Sequence, residues 1–519
     1  MISGELLAGL MFVSLMGLVM VGFPVAFTLA GAGVMFAAIG NGLGVFDIAI
    51  MNGLASRYFG IMNNEVLVAV PLFVFMGVML ERSRIAHELL ITMGQLFGPM
   101  RGGLGLSVVL VGALLAASTG IVGATVVTMG LLSLPAMLRA GYDPKLASGI
   151  ICASGTLGQI VPPSTVLIFV GDLLQGANQQ AQLALGNFTP APVSVGQLFA
   201  GAMLPGAALA GLYGVWVMIK AVIDPGSCPA LVMTAEEKAG LGRRVLVALV
   251  PPLGLIVAVL GSILSGLATA TESASVGAVG AMVLAIAYGQ FSLAILREVM
   301  RSTVVINSMV FVILIGASVF SLVFRGLGGE HLVEAVLAAT PGGQFGAVAL
   351  VMLVMFLLGF LLDTFEIIFI MVPISAPVLI KMGVDPLWLG VAIGVNLQTS
   401  FLTPPFGFSL FYLRGVAGRL ITTGDIYIGV APFVAIQVLT LWLMWMVPGM
   451  ATWLPGLVFN TGPRAALERP VGDINRPAVG GDFPGLFVPQ SAAEDESGRP
   501  DDSQSFGDLF APAKPSRQD

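Results

Sequence analysis

The chain has 519 residues, 57% of them hydrophobic and only 10% charged, and its formal net charge is −6. A water-soluble chain of this size carries about 25% charged residues, so too few are present to cover a soluble surface. The apolar runs are continuous, where the strands of a membrane barrel would alternate, and the class that remains is an all-α polytopic membrane protein solvated by lipid.

In chain order, residues 3–22 and about 24–40 are two apolar segments split at Gly22-Phe23-Pro24. Residues 41–64 are mixed in character and suit an interfacial helix. Residues 65–80 form a third span with Pro71 inside it, closed at the water by Glu81 to Arg84. The apolar run 104–134 is long enough to enter and leave the bilayer on one side, as a hairpin. Ser118, Thr119 and Gly120 supply the turn at its tip. Residues 146–171 are broken by Ser154-Gly155-Thr156 and then Pro162-Pro163. Proline removes an N–H and clashes with the preceding turn, so two in succession predict an unwound segment. A polar insert over 173–197 and a span at 198–222 complete a first half, residues 1–222. The loop 223–244, with Lys238, Arg243 and Arg244, joins it to the second half as a cytoplasmic linker.

The second half covers 245–450. It opens with spans at 245–264 and 267–290, the latter carrying Glu272 near its start. An acid there caps the helix through its dipole, or coordinates a cation, or lines the interface between repeats. A basic connector and a span at 303–324 follow. The run 345–380 is a second hairpin, interrupted by Asp363, Thr364 and Glu366, and ionisable groups inside a membrane run are functional suspects. Residues 388–412 carry Asn396, Gln398 and Thr399, followed by Pro404-Pro405. The last span is 426–448. Residues 451–519 turn to Pro, Gly, Asp and Ser and read as a polar, disordered periplasmic tail.

Gly141, Asp143, Pro144, Pro162 and Pro163 recur 242 positions later as Gly383, Asp385, Pro386, Pro404 and Pro405, and Pro135 recurs as Pro377. That is an internal repeat. With the linker placed in the cytoplasm, most Lys and Arg residues fall inside, as the positive-inside rule asks; Arg57, Arg325 and Lys381 run against it. On this count the halves have opposite orientations. The expected fold is therefore two inverted structural repeats, each with a re-entrant helical hairpin and a discontinuous helix. Secondary transporters bind at such breaks near the midplane, where helix N-termini favour anions and freed carbonyls hold Na⁺. A channel, the competing reading, needs a continuous pore instead. No Walker, GxSxG, HExxH or CxxC motif is present, which argues against an enzyme and against any cofactor. His87, His331, Cys152 and Cys228 are isolated in sequence, and no basic tract suits a nucleic acid.

The stretches NEVLVAVPLFVFMGVMLERS, ASTGIVGATVVTMG, GYDPKLASGIICASGTLGQIVPPS, ATATESASVGA and GVNLQTSFLTPPFGFSLFYLRG together resemble the large permease subunit of tripartite ATP-independent periplasmic (TRAP) transporters. The resemblance covers the chain to about residue 450. It implies an elevator-type sodium symporter of the bacterial inner membrane, working with a small four-helix membrane subunit and a periplasmic substrate-binding protein. The delivered substrate would be a carboxylate such as a C4-dicarboxylate or sialic acid, and Na⁺ the coupling ion. Carried onto this sequence, sodium and substrate would sit among Ser118, Thr119, Gly120, Ser154, Gly155, Thr156, Asp363, Thr364, Asn396, Gln398 and Thr399. The surrounding scaffold would be the spans near 3–40, 198–222, 245–290 and 426–448. The alternative is a stand-alone sodium/anion symporter of similar architecture with no binding protein.

Overall fold

Short polar caps punctuate the apolar sequence and decide where each helix begins. A computed structural model describes residues 3–83, 85–120, 122–231 and 240–459, and among these the regular elements are all helical. In the first half, α1 (Gly4–Met20) and α2 (Val25–Gly42) part at Gly22-Phe23-Pro24. A 3-10 turn and α3 (Gly53–Met62) then bend by 51° into α4 (Glu65–Arg82), so the mixed segment is helical and runs at an angle to its neighbour. There follow α5 (Ile85–Phe97), α6 (Gly103–Thr119), α7 (Val122–Arg139), α8 (Pro144–Thr156), α9 (Thr165–Ala184) and α10 (Val195–Ile223). The second half holds α11 (Leu241–Leu264), α12 (Ala270–Ala287), α13 (Leu293–Gly326), α14 (Gly329–Ala338), α15 (Gly343–Leu358), α16 (Thr364–Lys381), α17 (Pro386–Leu402), α18 (Phe408–Ala417), α19 (Thr423–Met446) and α20 (Gly449–Val458). Eight described helices are long and apolar enough to cross a bilayer, or nine if the bent pair counts as one span.

The recurring residues do the same work at both places. Asp143 and Asp385 are N-caps whose carboxylates accept from backbone N–H groups, and Pro144 and Pro386 take the first helical position, where no N–H is needed. Gly141 and Gly383 have φ of +85° and +95°, a left-handed turn that a side chain would strain. Pro162-Pro163 and Pro404-Pro405 each contain a cis bond.

The helices form an inner body and an outer frame. In the frame, α2 packs on α13, α4 on α12 and α13, and α11 on α12 and α5. The inner body joins α6, α7, α8, α9 and α10 to α15, α16, α17, α18, α19 and α20. Its centre is enclosed by protein: every residue of α17 is buried, and α16 is buried almost all round. The helices α8 and α19 approach each other very closely. A Cβ added at Gly149 would lie 2.1 Å from the Gly429 carbonyl oxygen, and one at Gly429 would lie 2.0 Å from that of Lys145. Glycine alone permits this crossing, as at small-residue interfaces in membranes.

Two expectations change and one segment gains a structure. The spans near 198–222 and 426–448 were assigned to a scaffold, yet α10 and α19 pack against α17 and each other, and α19 lies along α8, all within the inner body. The insert 173–197 is half helix. It extends α9 to Ala184 because Leu174, Ala177, Asn178 and Ala181 form one buried face, and Asn178 Nδ2 donates to the Ala191 carbonyl at 2.9 Å. The folded chain also passes 451, since α20 buries Ala451 and Pro455 against α10. Residues 460–519 lie outside the described residues, as do Lys238 and Arg84.

Candidate functional site

The first hairpin turns at Gly120, whose backbone is left-handed (φ +62°) and whose carbonyl accepts from the Thr165 hydroxyl at 3.1 Å. The tip thus rests on the start of α9, beyond its own half's break. Ser118 and Thr119 close α6, and their side chains lie outside the described part of the structure. At the break, Ser154 and Thr156 donate to the carbonyls of Ile150 (2.6 Å) and Ala153 (2.8 Å) within their own helix. Ser154 abuts Gly112 of α6, and Gly155 abuts Val126 of α7. Small residues here let α8 sit close to both arms of the hairpin. The chain then makes a 3-10 turn over Leu157–Gln159 and passes Pro162-Pro163.

The second hairpin turns between α15 and α16. Asp363 is the N-cap of α16, and its backbone N–H donates to the Glu366 carboxylate at 2.9 Å. On α17, Asn396 and Ser400 donate to the carbonyls of Met352 (2.8 Å) and Phe356 (2.6 Å), fastening the broken helix to α15. Thr399 donates to Val395 within its own helix at 2.8 Å. Gln398 turns the other way. Two residues from Asn396 on a helix is about 200° of rotation, and its amide donates to the Tyr213 hydroxyl on α10 at 3.3 Å. Gln437 of α19 donates to the same hydroxyl at 2.7 Å.

Contacts between the halves cross over. The Gln159 amide, in the first break, donates to the Thr364 hydroxyl at the second tip, at 2.9 Å. Phe169 of α9 meets Phe365 and Phe369 of α16 edge-on, with ring centroids 5.5 and 5.1 Å apart. Tyr412 of α18 packs against Gly123, just past the first tip, where an added Cβ would lie 3.0 Å from the ring. Each hairpin's return arm therefore docks on the far portion of the other half's broken helix. This arrangement joins the first tip to the start of α9 and the first break to the second tip, among apolar helices.

Residues 12–450 match the family model for the tripartite ATP-independent periplasmic transporter, DctM component. The chain belongs to that family. It is 30% identical, over 77% of its length and 89% of the relative's, to the C4-dicarboxylate TRAP transporter large permease protein DctM of Rhodobacter capsulatus. It is 26% identical to the ectoine TRAP transporter large permease protein TeaC of Halomonas elongata, covering 87% of this chain and 99% of that one. The sialic acid TRAP transporter large permease protein SiaM of Vibrio cholerae is also 26% identical, over 86% of this chain and 98% of that one. In fold the chain is similar to the YdaH transporter of Alcanivorax borkumensis, with a TM-score of 0.58 and 15% identity over 82% of this chain and 98% of that one. This DctM-family permease is a secondary transporter of the inner membrane and not an enzyme.

Two cations that ran against the charge rule have partners in the permease. Arg325 pairs with Glu330 at 2.9 Å and donates to the Pro373 carbonyl of α16 at 3.1 Å, and Lys381 lies 4.0 Å from Glu334. Arg57 is half-buried in the electrostatic field of Arg325 and Glu330. Glu272 closes a capping box with Thr269 at the start of α12: the Thr269 N–H donates to its carboxylate at 2.8 Å, and its own N–H donates to the Thr269 hydroxyl at 3.2 Å. Sequence reasoning missed Gln159, Tyr213, Tyr412 and Gln437. A polar residue within an apolar run was the available signal for Gln159 and Gln437; Tyr213 and Tyr412 carried none, because their partners arrive from distant helices.

Proposed function

We propose that this permease carries out sodium-coupled uptake of an organic anion, a carboxylate, received from a periplasmic substrate-binding protein and with a small membrane subunit as its companion. The observation that carries this reading is the cross-half bond between Gln159 and Thr364, which joins the first break to the second tip beside Asp363. Breaks of this kind expose backbone groups in a protein-lined centre, where N-terminal helix ends favour anions and freed carbonyls favour Na⁺. Sodium would offset the anion's charge next to Asp363. The relatives named for C4-dicarboxylates and for sialic acid favour a carboxylate. The two halves act as inverted repeats, supported by the shared caps, turns and proline breaks.

In this reading the inner body moves as one piece against the frame, as in an elevator. The polar links between them are individual hydrogen bonds: Asn64, the N-cap of α4, donates to Asp172 of α9 at 2.7 Å, Thr128 of α7 to Glu81 of α4 at 2.7 Å, Ser107 of α6 to the Met93 carbonyl of α5 at 2.7 Å, Arg325 of α13 to the Pro373 carbonyl of α16 at 3.1 Å, and Gln180 of α9 to Glu330 of α14 at 3.0 Å. Hydrogen bonds of this kind each contribute about 1–3 kcal/mol, so they can part and reform during a transport cycle.

Uptake in proteoliposomes tests the proposal. The permease, its small subunit and a binding protein are offered a panel of labelled carboxylates, with and without an inward sodium gradient. Uptake that requires both the gradient and the binding protein is the expected result. Sodium-driven uptake with no binding protein would replace it with a stand-alone symporter, and flux indifferent to sodium would remove the coupling altogether.

A further inference from the structure

Gln159 is wholly buried in the turn between α8 and Pro162-Pro163. Its side-chain nitrogen donates to Thr364, and its backbone carbonyl accepts from the Ser164 hydroxyl at 3.1 Å. Its side-chain oxygen has no hydrogen-bond partner. An unpaired amide oxygen in a buried interior is costly, and the neighbouring Leu157, Ile160 and Val161 show that an apolar residue suits this turn. The oxygen sits at a particular place. Thr364, its amide's partner, directly follows Asp363 in the chain, and Glu366 lies one turn on. Neither acid has a Lys or Arg partner among the described residues.

An orphaned amide oxygen and a hydroxyl therefore meet at one junction, with the acidic N-cap Asp363 next in the chain, and oxygen donors are what hard cations take. The Gln159 oxygen is fully enclosed, so an organic solute cannot reach it, whereas a bare monovalent cation needs little room. We infer that Gln159 is a ligand of the coupling cation, giving its side-chain oxygen from the first half while Asp363 and Thr364 contribute from the second. A cation held there ties the second tip to the first break. The inference rests on the sodium-coupled reading above and names a residue for it.

The experiment is thermal denaturation of the purified permease in sodium chloride against choline chloride at equal ionic strength, paired with the sodium dependence of uptake. Gln159→Met removes the oxygen at similar volume, and Gln159→Glu retains one. Wild type is expected to gain thermal stability with sodium. In Gln159→Met the sodium concentration giving half the effect is expected to rise at least tenfold, with the solute KM at saturating sodium changed less than twofold. Gln159→Glu is expected to keep the sodium response. Should Gln159→Met fail to accumulate, Thr364→Val carries the same expectation, with Thr364→Ser as its conservative counterpart. A wild-type sodium midpoint in Gln159→Met, or a change in solute KM with no change in that midpoint, would overturn the inference and leave sodium coupling standing. A wild-type protein indifferent to sodium in both assays would overturn the coupling itself.

Discussion

Tyr213→Phe deletes one oxygen atom and is expected to be among the most damaging conservative changes in the molecule. Tyr213, Gln398 and Gln437 are all wholly buried, and both amides donate to the tyrosine hydroxyl, at 3.3 and 2.7 Å. The Phe ring fits the same space against Phe433, whose centroid lies 5.2 Å away, so packing is preserved and the polar account decides the outcome. Removing the shared acceptor strands two buried N–H donors, and each such group costs about 1–3 kcal/mol. Some of this returns if the amides pair with each other, which leaves an expected loss of roughly 2–4 kcal/mol. Gln437→Leu makes the contrast. That side chain already has an unpartnered oxygen, so exchanging it for an apolar group removes a liability together with a bond, and the expected change is under about 1 kcal/mol. The double variant should recover part of the Tyr213→Phe loss, since only Gln398 is then stranded. Equilibrium unfolding in nanodiscs or bicelles gives the ranking. A Tyr213→Phe protein within about 0.5 kcal/mol of wild type, the usual range for an inconsequential substitution, or a Gln437→Leu loss as large as that of Tyr213→Phe, would refute the reasoning.

Gly149→Ala and Gly429→Ala each drive a methyl group into a backbone carbonyl and should cost about 1–3 kcal/mol or more as overpacking, lowering folded yield and uptake. Gly211→Ala, with nothing within 4 Å of the added atom, should behave as wild type in the same assays. Glu272→Ala should lower thermal stability slightly by opening the cap on α12 and leave the sodium dependence of uptake unchanged; an altered sodium midpoint would mean that the acid also serves the ion. Ending the chain after residue 459 should preserve uptake, because the family match stops at 450 and α20 is retained. Ending it after 448 should not, because α20 buries Ala451 and Pro455 against α10, and fluorescence size-exclusion profiles would separate the two.

What was legible in the sequence is what depends on neighbours along the chain. The apolar runs, the Asp-Pro caps at Asp143 and Asp385, the turn glycines Gly141 and Gly383, and the proline pairs all act over a few residues. Asp363 stood out because an acid in an apolar run has few structural uses. Long-range partners could not be read. Gln159 has meaning only because Thr364 arrives 205 positions later, and nothing near Tyr213 points to Gln398 or Gln437. Hydropathy marks 198–222 and 426–448 as spans but cannot say which helices they touch, and that is why both were assigned to the wrong layer. The polar composition of the insert 173–197 concealed its helical part, although its buried positions recur with helical spacing through Leu174, Ala177, Asn178 and Ala181. Asn396 and Gln398 looked like one cluster because they are close in sequence, yet the helix sends them to opposite sides.

The crossing of α8 and α19 also bears on how the protein is made. Ser148 and Asp425, which meet there, are 277 positions apart. At about 5–20 residues per second, a ribosome needs roughly 15–55 s to produce the missing partner. During that interval α8 has already left the translocon with its glycine face uncovered and its proline break beside it. The first half therefore waits in the bilayer, incomplete, until the second is delivered, and the protein closes only near the end of its own synthesis. Two fragments divided within 232–239 and produced in the same cell have to solve the same problem of finding each other, and their association into an active permease would measure how much the intact chain gains from the linker.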